Sequence, residues 1–255
     1  MASGGQQFPP QKQQQQPGKE HWKVALVTGG DSGIGRAVCY CFALEGATVA
    51  FTYVKGQEDK DAKDTLQMIT EAKTQDSKDP IAIPMDLGYD ENCRRVVEEV
   101  VNAYGQIDIL VNNCAEQYES TTIEEINEER LERHMREGSS IINTTSINAY
   151  KGNASLLDYT STKGAIVSFT RGLSLQLVSK GIRVNGVAPG AVWTPLIPAS
   201  FSEEKIKEFG SEVPMGRAAQ PHEIAPSYVF LASNIDSSYI SGQVLHPNGG
   251  AVING

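Results

Sequence analysis

A three-layer, doubly wound parallel sheet of the Rossmann type, with about seven strands, is the α/β architecture this sequence predicts, and three observations carry that prediction. From Val24 onward short apolar runs alternate with longer helical segments, the pattern of a parallel sheet covered by helices on both faces. The first run, Val24 to Thr28, passes at once into Gly29-Gly30-Asp31-Ser32-Gly33-Ile34-Gly35, a turn suited to carry a strand into a helix around a phosphate group. The 255 residues are 40% apolar, enough for a sizeable core, and α/β units of this length commonly remain undivided.

The elements follow in order. Strands are expected at Val24 to Thr28, Thr48 to Tyr53, Ile81 to Pro84, Ile109 to Asn112, Ser140 to Asn143, Arg183 to Val187 and Gln243 to His246, each a short apolar run of strand length. Helices are expected at Gly33 to Leu44, Lys60 to Lys73, Glu91 to Tyr104, Tyr159 to Lys180 and Pro221 to Ala232, where length and apolar spacing fit a 3.6-residue period. Lys23 to Gly255 therefore reads as a single domain. Residues 1–22, rich in Gln, Pro and Gly, read as a disordered leader without the apolar stretch of a secretory signal.

Composition narrows the partners. The formal charge of −9 comes without a basic block, so binding to a nucleic-acid backbone is not expected. No apolar run approaches the roughly 20 residues needed to span a bilayer. Cys39, Cys41, Cys93 and Cys114 have neither zinc-ligand nor disulfide-scaffold spacing. These features predict a cytoplasmic protein with no metal site.

Three side chains carry candidate chemistry. Tyr159 and Lys163 in DYTSTKGA are four apart on a predicted helix and share one face. The ammonium would favour the phenolate and draw the tyrosine, ordinarily protonated at neutral pH, toward use as a proton exchanger. Ser146 precedes them by thirteen positions in IINTTS and would steady a substrate oxygen. Upstream, the glycines of the first turn allow backbone N–H groups to approach a pyrophosphate at the positive end of a helix.

Together, Thr-Gly-x-x-x-Gly-x-Gly at Thr28 to Gly35, Asn112-Asn113-Cys114-Ala115, Ser146 and Tyr159-x-x-x-Lys163 resemble the short-chain dehydrogenase/reductase family. The likeness runs from about Lys23 to the carboxyl end, through Pro189-Gly190 with Thr194 and the closing SGQVLHPNGG. Within the family, the glutamine-rich leader and the stretches EQYES, KGIRVNGVAPG and VWTPLIPASF resemble the plant glucose and ribitol dehydrogenase homologues. The resemblance implies Tyr159 as acid–base group, Ser146 as the group orienting the substrate oxygen, and Lys163 as the residue that lowers the tyrosine pKa and bonds the nicotinamide ribose. It also implies cofactor contacts at Thr28, Gly29, Ser32, Gly33, Ile34, Gly35, Tyr53, Lys55, Asp86, Leu87, Asn113, Pro189, Gly190 and Thr194, with Thr194 to Gly210 as a lid. A homo-oligomer is the family expectation.

The choice of nicotinamide turns on the end of the second strand. A carboxylate about 20 residues past the glycine turn would bind the 2′-hydroxyl of NAD. Val49 to Lys55 holds none, Lys55 is positive, and Glu58 comes several positions later. The sequence reading is therefore NADP, with NAD as the alternative.

One stretch departs from the family. From Asn113 to Ser146 there are 33 positions, about 18 fewer than the family pattern, although still more than a parallel crossover requires. Thr122-Ile123-Glu124-Glu125 forms a capping box, so a helix is expected from Ile123 to Glu137 with Gly138 ending it. The apolar helix that relatives carry after Arg133, together with its proton-relay asparagine, has no counterpart here. An under-covered sheet face, lower stability and an altered or absent dimer are expected. The functional expectation is hydride transfer between a nicotinamide and an alcohol or carbonyl, with a sugar or polyol as substrate. The alternative is a cofactor-binding, catalytically silent variant with a binding, storage or protective role.

Overall fold

The computed structural model describes residues 23–114, 135–200 and 203–253. The predicted leader, and the predicted crossover helix up to residue 134, lie outside the described residues. Seven parallel strands form one sheet: β1 (Val24–Val27), β2 (Thr48–Tyr53), β3 (Ile81–Pro84), β4 (Ile109–Asn112), β5 (Ser140–Thr144), β6 (Arg183–Val187) and β7 (Val244–Leu245). Their spatial order is β3-β2-β1-β4-β5-β6-β7. Winding starts at β1, moves outward to β3, then crosses back to β4, so the chain reverses direction between β1 and β4.

Eight helices accompany the sheet among the described residues: α1 (Gly33–Leu44), α2 (Asp59–Ala72), α3 (Asp90–Tyr104), α4 (Asn148–Lys151), α5 (Leu157–Leu177), α6 (Leu196–Ser200), α7 (Glu203–Glu208) and α8 (Pro221–Ala232). A sheet buried on both faces needs apolar residues at every strand position, and β1 meets that need with VALV, all four residues buried. Ala25 and Val27 join Val38 and Phe42 of α1 and Tyr228 and Leu231 of α8 in one cluster. Val24 and Leu26 join Val96 and Val100 of α3 and Leu173 and Leu177 of α5 in the other. Full burial of one such side chain stabilises by about 1.5–3 kcal/mol, so the alternation along a four-residue strand holds both helical layers.

The layers are closed by polar contacts at helix ends. Gly105, in the left-handed region at φ 87°, ends α3 and donates its N–H to the Val101 carbonyl, a conformation glycine adopts without a Cβ penalty. Lys23 Nζ donates to the Ala232 carbonyl at 2.7 Å, and buried Arg183 donates to the Leu231 carbonyl at 2.8 Å. Both cations thus serve the negative C-terminal end of α8.

The expected helix does not extend to Glu137. Met135 and Arg136 are irregular, and Glu137 and Gly138 form a turn. Met135 is buried in the core, while Gly138 N–H is taken by the Gly181 carbonyl at 2.9 Å and Ser139 N–H by the Arg136 carbonyl at 3.0 Å. Tethering to the start of β6 replaces the i to i−4 bonds a helix would need here.

Candidate active site

In an open α/β sheet, ligands bind beyond the carboxyl ends of the strands where the winding reverses. That crevice, between β1 and β4, opens into a cavity of about 1600 Å³, larger than the roughly 300–1,000 Å³ of most small-molecule sites. Its floor is the turn between β1 and α1. Thr28 Oγ1 accepts the N–H groups of Asn113 and Cys114, both at 2.9 Å, and the Asn113 amide donates to the carbonyls of Thr28 and Gly29 at 3.0 and 3.1 Å. The end of β4 is thereby stitched to the glycine turn.

The turn is a cradle only glycine can build. A Cβ on Gly35 would lie 2.0 Å from the Gly29 carbonyl oxygen, and one on Gly30 would lie 2.4 Å from Phe51 Cβ. Ser32, the residue before α1, makes no side-chain capping bond, which leaves the first N–H groups of the helix to an anion entering the cavity. Thr28, Gly29, Ser32, Gly33 and Ile34 all line it. These features fit a dinucleotide pyrophosphate.

The three candidate catalytic residues meet on the same cavity. Ser146 follows β5, while Tyr159 and Lys163 occupy the first turns of α5. The Ser146 hydroxyl faces Tyr159 and favours its ionised form, and Ser146 Oγ accepts the Asn148 N–H at 3.2 Å. Lys163 is only 6% exposed; its Nζ donates to the Thr144 carbonyl at 3.2 Å and lies 5.5 Å from the Tyr159 ring centre. Thr145 Oγ1 donates to the Lys163 carbonyl at 2.7 Å, fixing α5 against the end of β5.

Electrostatically the site differs from expectation. Burial pushes the Tyr159 phenol up from its ordinary value, and the opposing influence is the Ser146 hydroxyl rather than Lys163. Burial also draws Lys163 down to about 8, with Cys114 acting the other way. The expected lowering of the tyrosine pKa by Lys163 is not among the influences on either group here; burial is the largest on both, disfavouring the phenolate and the ammonium alike.

The end of the crevice beside β2 and β3 departs from the sequence reading. Tyr53, Asp86 and Leu87 line the cavity, and Asp86 Oδ1 accepts the Gly88 N–H at 2.9 Å. Lys55 is exposed and stands outside the lining. Glu58 lines it instead, its carboxylate accepting the Val54 N–H at 2.6 Å. Spacing along the chain set Glu58 aside; the tight turn after β2 is what returns it.

At the opposite wall Pro189, Gly190 and Thr194 line the cavity. A Cβ on Gly190 would come within 2.8 Å of Asn248 Cα, and one on Gly33 would sit 3.5 Å from Thr194, so this loop closes down on the glycine turn. Asn248, Phe209 and Glu212 also line the cavity; they come from loops with no periodic signal. Among the described residues no group of His, Cys, Asp or Glu could hold a metal ion, and no helix is long and apolar enough to cross a membrane.

Known proteins resemble this chain in sequence and in fold. Residues 23–136 match the short chain dehydrogenase family model, and residues 128–252 match a model described as Enoyl-(Acyl carrier protein) reductase. The chain is 68% identical to a carrot glucose and ribitol dehydrogenase over 293 residues, covering 100% of both chains; that span exceeds the 255 residues present here. It is 70% identical to the Arabidopsis thaliana NADPH-dependent aldehyde reductase 1, chloroplastic, over 96% of this chain and 98% of that protein. Among solved structures, a blue fluorescent protein from a metagenomic library in complex with NADPH superposes with a TM-score of 0.76 at 30% identity, covering 89% of this chain and 97% of that one.

Proposed function

The chain belongs to the short-chain dehydrogenase/reductase family, and from that premise we propose that it transfers hydride between NADP(H) and an alcohol or carbonyl, with a sugar, polyol or small aldehyde as substrate. The observation that carries the reading is the convergence of Ser146, Tyr159 and Lys163 on the cavity floored by the glycine turn. The nicotinamide, when bound, supplies the hydride acceptor or donor. Tyr159 exchanges the proton of the substrate oxygen, Ser146 orients that oxygen, and Lys163 holds its charge beside both and bonds the nicotinamide ribose. A bound dinucleotide would be held by the turn from Thr28 to Gly35 at its pyrophosphate, by Asp86, Leu87 and Asn113 at its adenosine, and by Pro189, Gly190 and Thr194 at its nicotinamide.

The names of the carrot and Arabidopsis relatives support the substrate class and the NADP reading. We take residues 23–255 as one catalytic unit that works in the cytoplasm, with the family's dimer altered or absent; the chloroplastic name of the Arabidopsis relative makes fractionation against a plastid marker the test of compartment. Nucleotide binding followed by fluorescence, then a screen of sugars, polyols and small carbonyls for absorbance change at the nicotinamide band, tests the activity. Turnover of at least one substrate is expected. Tight nucleotide binding with no turnover of any of them would replace this reading with a catalytically silent protein.

A further inference from the structure

Ser146 takes its direction from a helix of a single turn. Its Oγ accepts the Asn148 N–H at 3.2 Å and its carbonyl accepts the Ala149 N–H at 3.0 Å, so hydroxyl and carbonyl both belong to the start of α4. A helix this short does not hold itself together, and none of its four residues is fully buried. Tyr150 ties it to the sheet. The Tyr150 ring meets the His246 ring edge to face, with centroids 4.7 Å apart and planes at 83°. His246 directly follows β7, and the next residue, Pro247, accepts the Gly190 N–H at 3.1 Å. One loop thus anchors both the helix behind Ser146 and the Pro189–Gly190 wall of the cavity.

Neither ring lines the cavity, and Tyr150 Oη and His246 Nε2 are buried without a hydrogen-bond partner among the described residues. The contact is therefore one of ring on ring. Burial raises the Tyr150 phenol above its ordinary value, with Arg171 of α5 acting the other way, and burial lowers the His246 imidazole below its own. Both rings are neutral at pH 7. We infer that Tyr150 and His246 are positioning residues for Ser146: their contact clamps α4 to the loop after β7, and the clamped helix fixes the direction in which the serine hydroxyl meets the substrate oxygen. The Pro247 bond to Gly190 is made by backbone alone, so losing either ring turns the hydroxyl and leaves the nucleotide cradle in place. The inference rests on the role given to Ser146 above.

The test compares the full-length parent with His246→Ala, Tyr150→Leu, His246→Phe and Tyr150→Phe. Turnover is followed at the nicotinamide band with NADPH and glyceraldehyde, or whichever compound of the screen above turns over fastest, and NADPH affinity is followed by fluorescence. His246→Ala should lower kcat by about ten- to a hundredfold, the range of a displaced reacting geometry, while NADPH affinity holds. Tyr150→Leu keeps an apolar side chain but no ring, and should match it. The two phenylalanine variants keep a ring and drop only unpartnered polar atoms, so both should stay within about twofold of the parent kcat. Unchanged kcat in the ring-less variants would overturn the inference. So would phenylalanine variants as slow as the ring-less ones, or a loss of NADPH affinity as large as the loss of kcat, which marks general damage to the fold. Each of those results leaves the enzyme reading intact; a parent that binds NADPH and turns over no substrate overturns both.

Discussion

Lys163 occupies a place that costs the folded protein stability. Its pKa falls from 10.5 to about 8 on burial, a difference of roughly 3 kcal/mol against the charged form. Below about pH 8 the folded and unfolded chains both carry the proton, and the folded state bears the whole penalty. Between about pH 8 and 10.5 the unfolded chain binds more protons, so this group makes stability rise with pH. Lys163→Met should remove the penalty and lose one charge-assisted bond to the Thr144 carbonyl, worth about 1.5–3 kcal/mol. At pH 7 a melting temperature higher by about 1–6 °C is expected, shrinking toward pH 10, with turnover abolished. A lower melting temperature at pH 7 would show that the ammonium is stabilised by more than its surroundings display. Tyr159 is tested by loss of its hydroxyl alone: Tyr159→Phe should lower turnover by about 10²–10⁴-fold, the range of a positioned acid–base group, while nucleotide affinity stays unchanged. Persistent activity would assign the proton transfer to another group.

At the scale of elements, the turn from β1 into α1 makes a sharper demand than any helix. Gly35→Ala places a methyl group 2.0 Å from the Gly29 carbonyl oxygen and 2.7 Å from Asn113 Nδ2; backbone must shift, at about 1–3 kcal/mol, and the anion cradle shifts with it. Nucleotide binding should be lost well below the unfolding temperature. Gly172→Ala, on the exposed side of α5 with nothing within 4 Å, is the control and should stabilise by about 1 kcal/mol. Such turns and strands were legible in the sequence because their cause is local: a glycine that must pack against backbone, or a run such as VALV buried on both faces. What sequence spacing hid has a non-local cause. Glu58 reaches the cavity through a folded-back turn, Met135 leaves the helical pattern because the backbone after it is tied to Gly181, and the pKa of Tyr159 is set by burial that no i to i+4 rule reports.

For the whole molecule, the informative quantity is the size of the cavity. Beyond the nucleotide crevice it continues as an apolar trough between α3 and α5, floored by Leu26, Leu110 and Ile141 and walled by Val96, Val97 and Leu173. We propose that the connection from β4 to β5 is shorter than the family's and leaves the trough under-filled; the 293-residue span of the carrot alignment against 255 residues here supports that proposal. Each leucine-sized side chain restored to such a surface contributes about 1.5–3 kcal/mol, and a few of them are comparable with a whole domain's net stability of about 5–15 kcal/mol. Inserting an amphipathic, apolar-faced helical segment after Arg133 should therefore raise the melting temperature by at least about 5 °C and shift the protein toward a dimer in light scattering. Equal melting temperatures and equal particle size in the two chains would mean that the native connection already fills the trough, and that the short crossover carries no penalty.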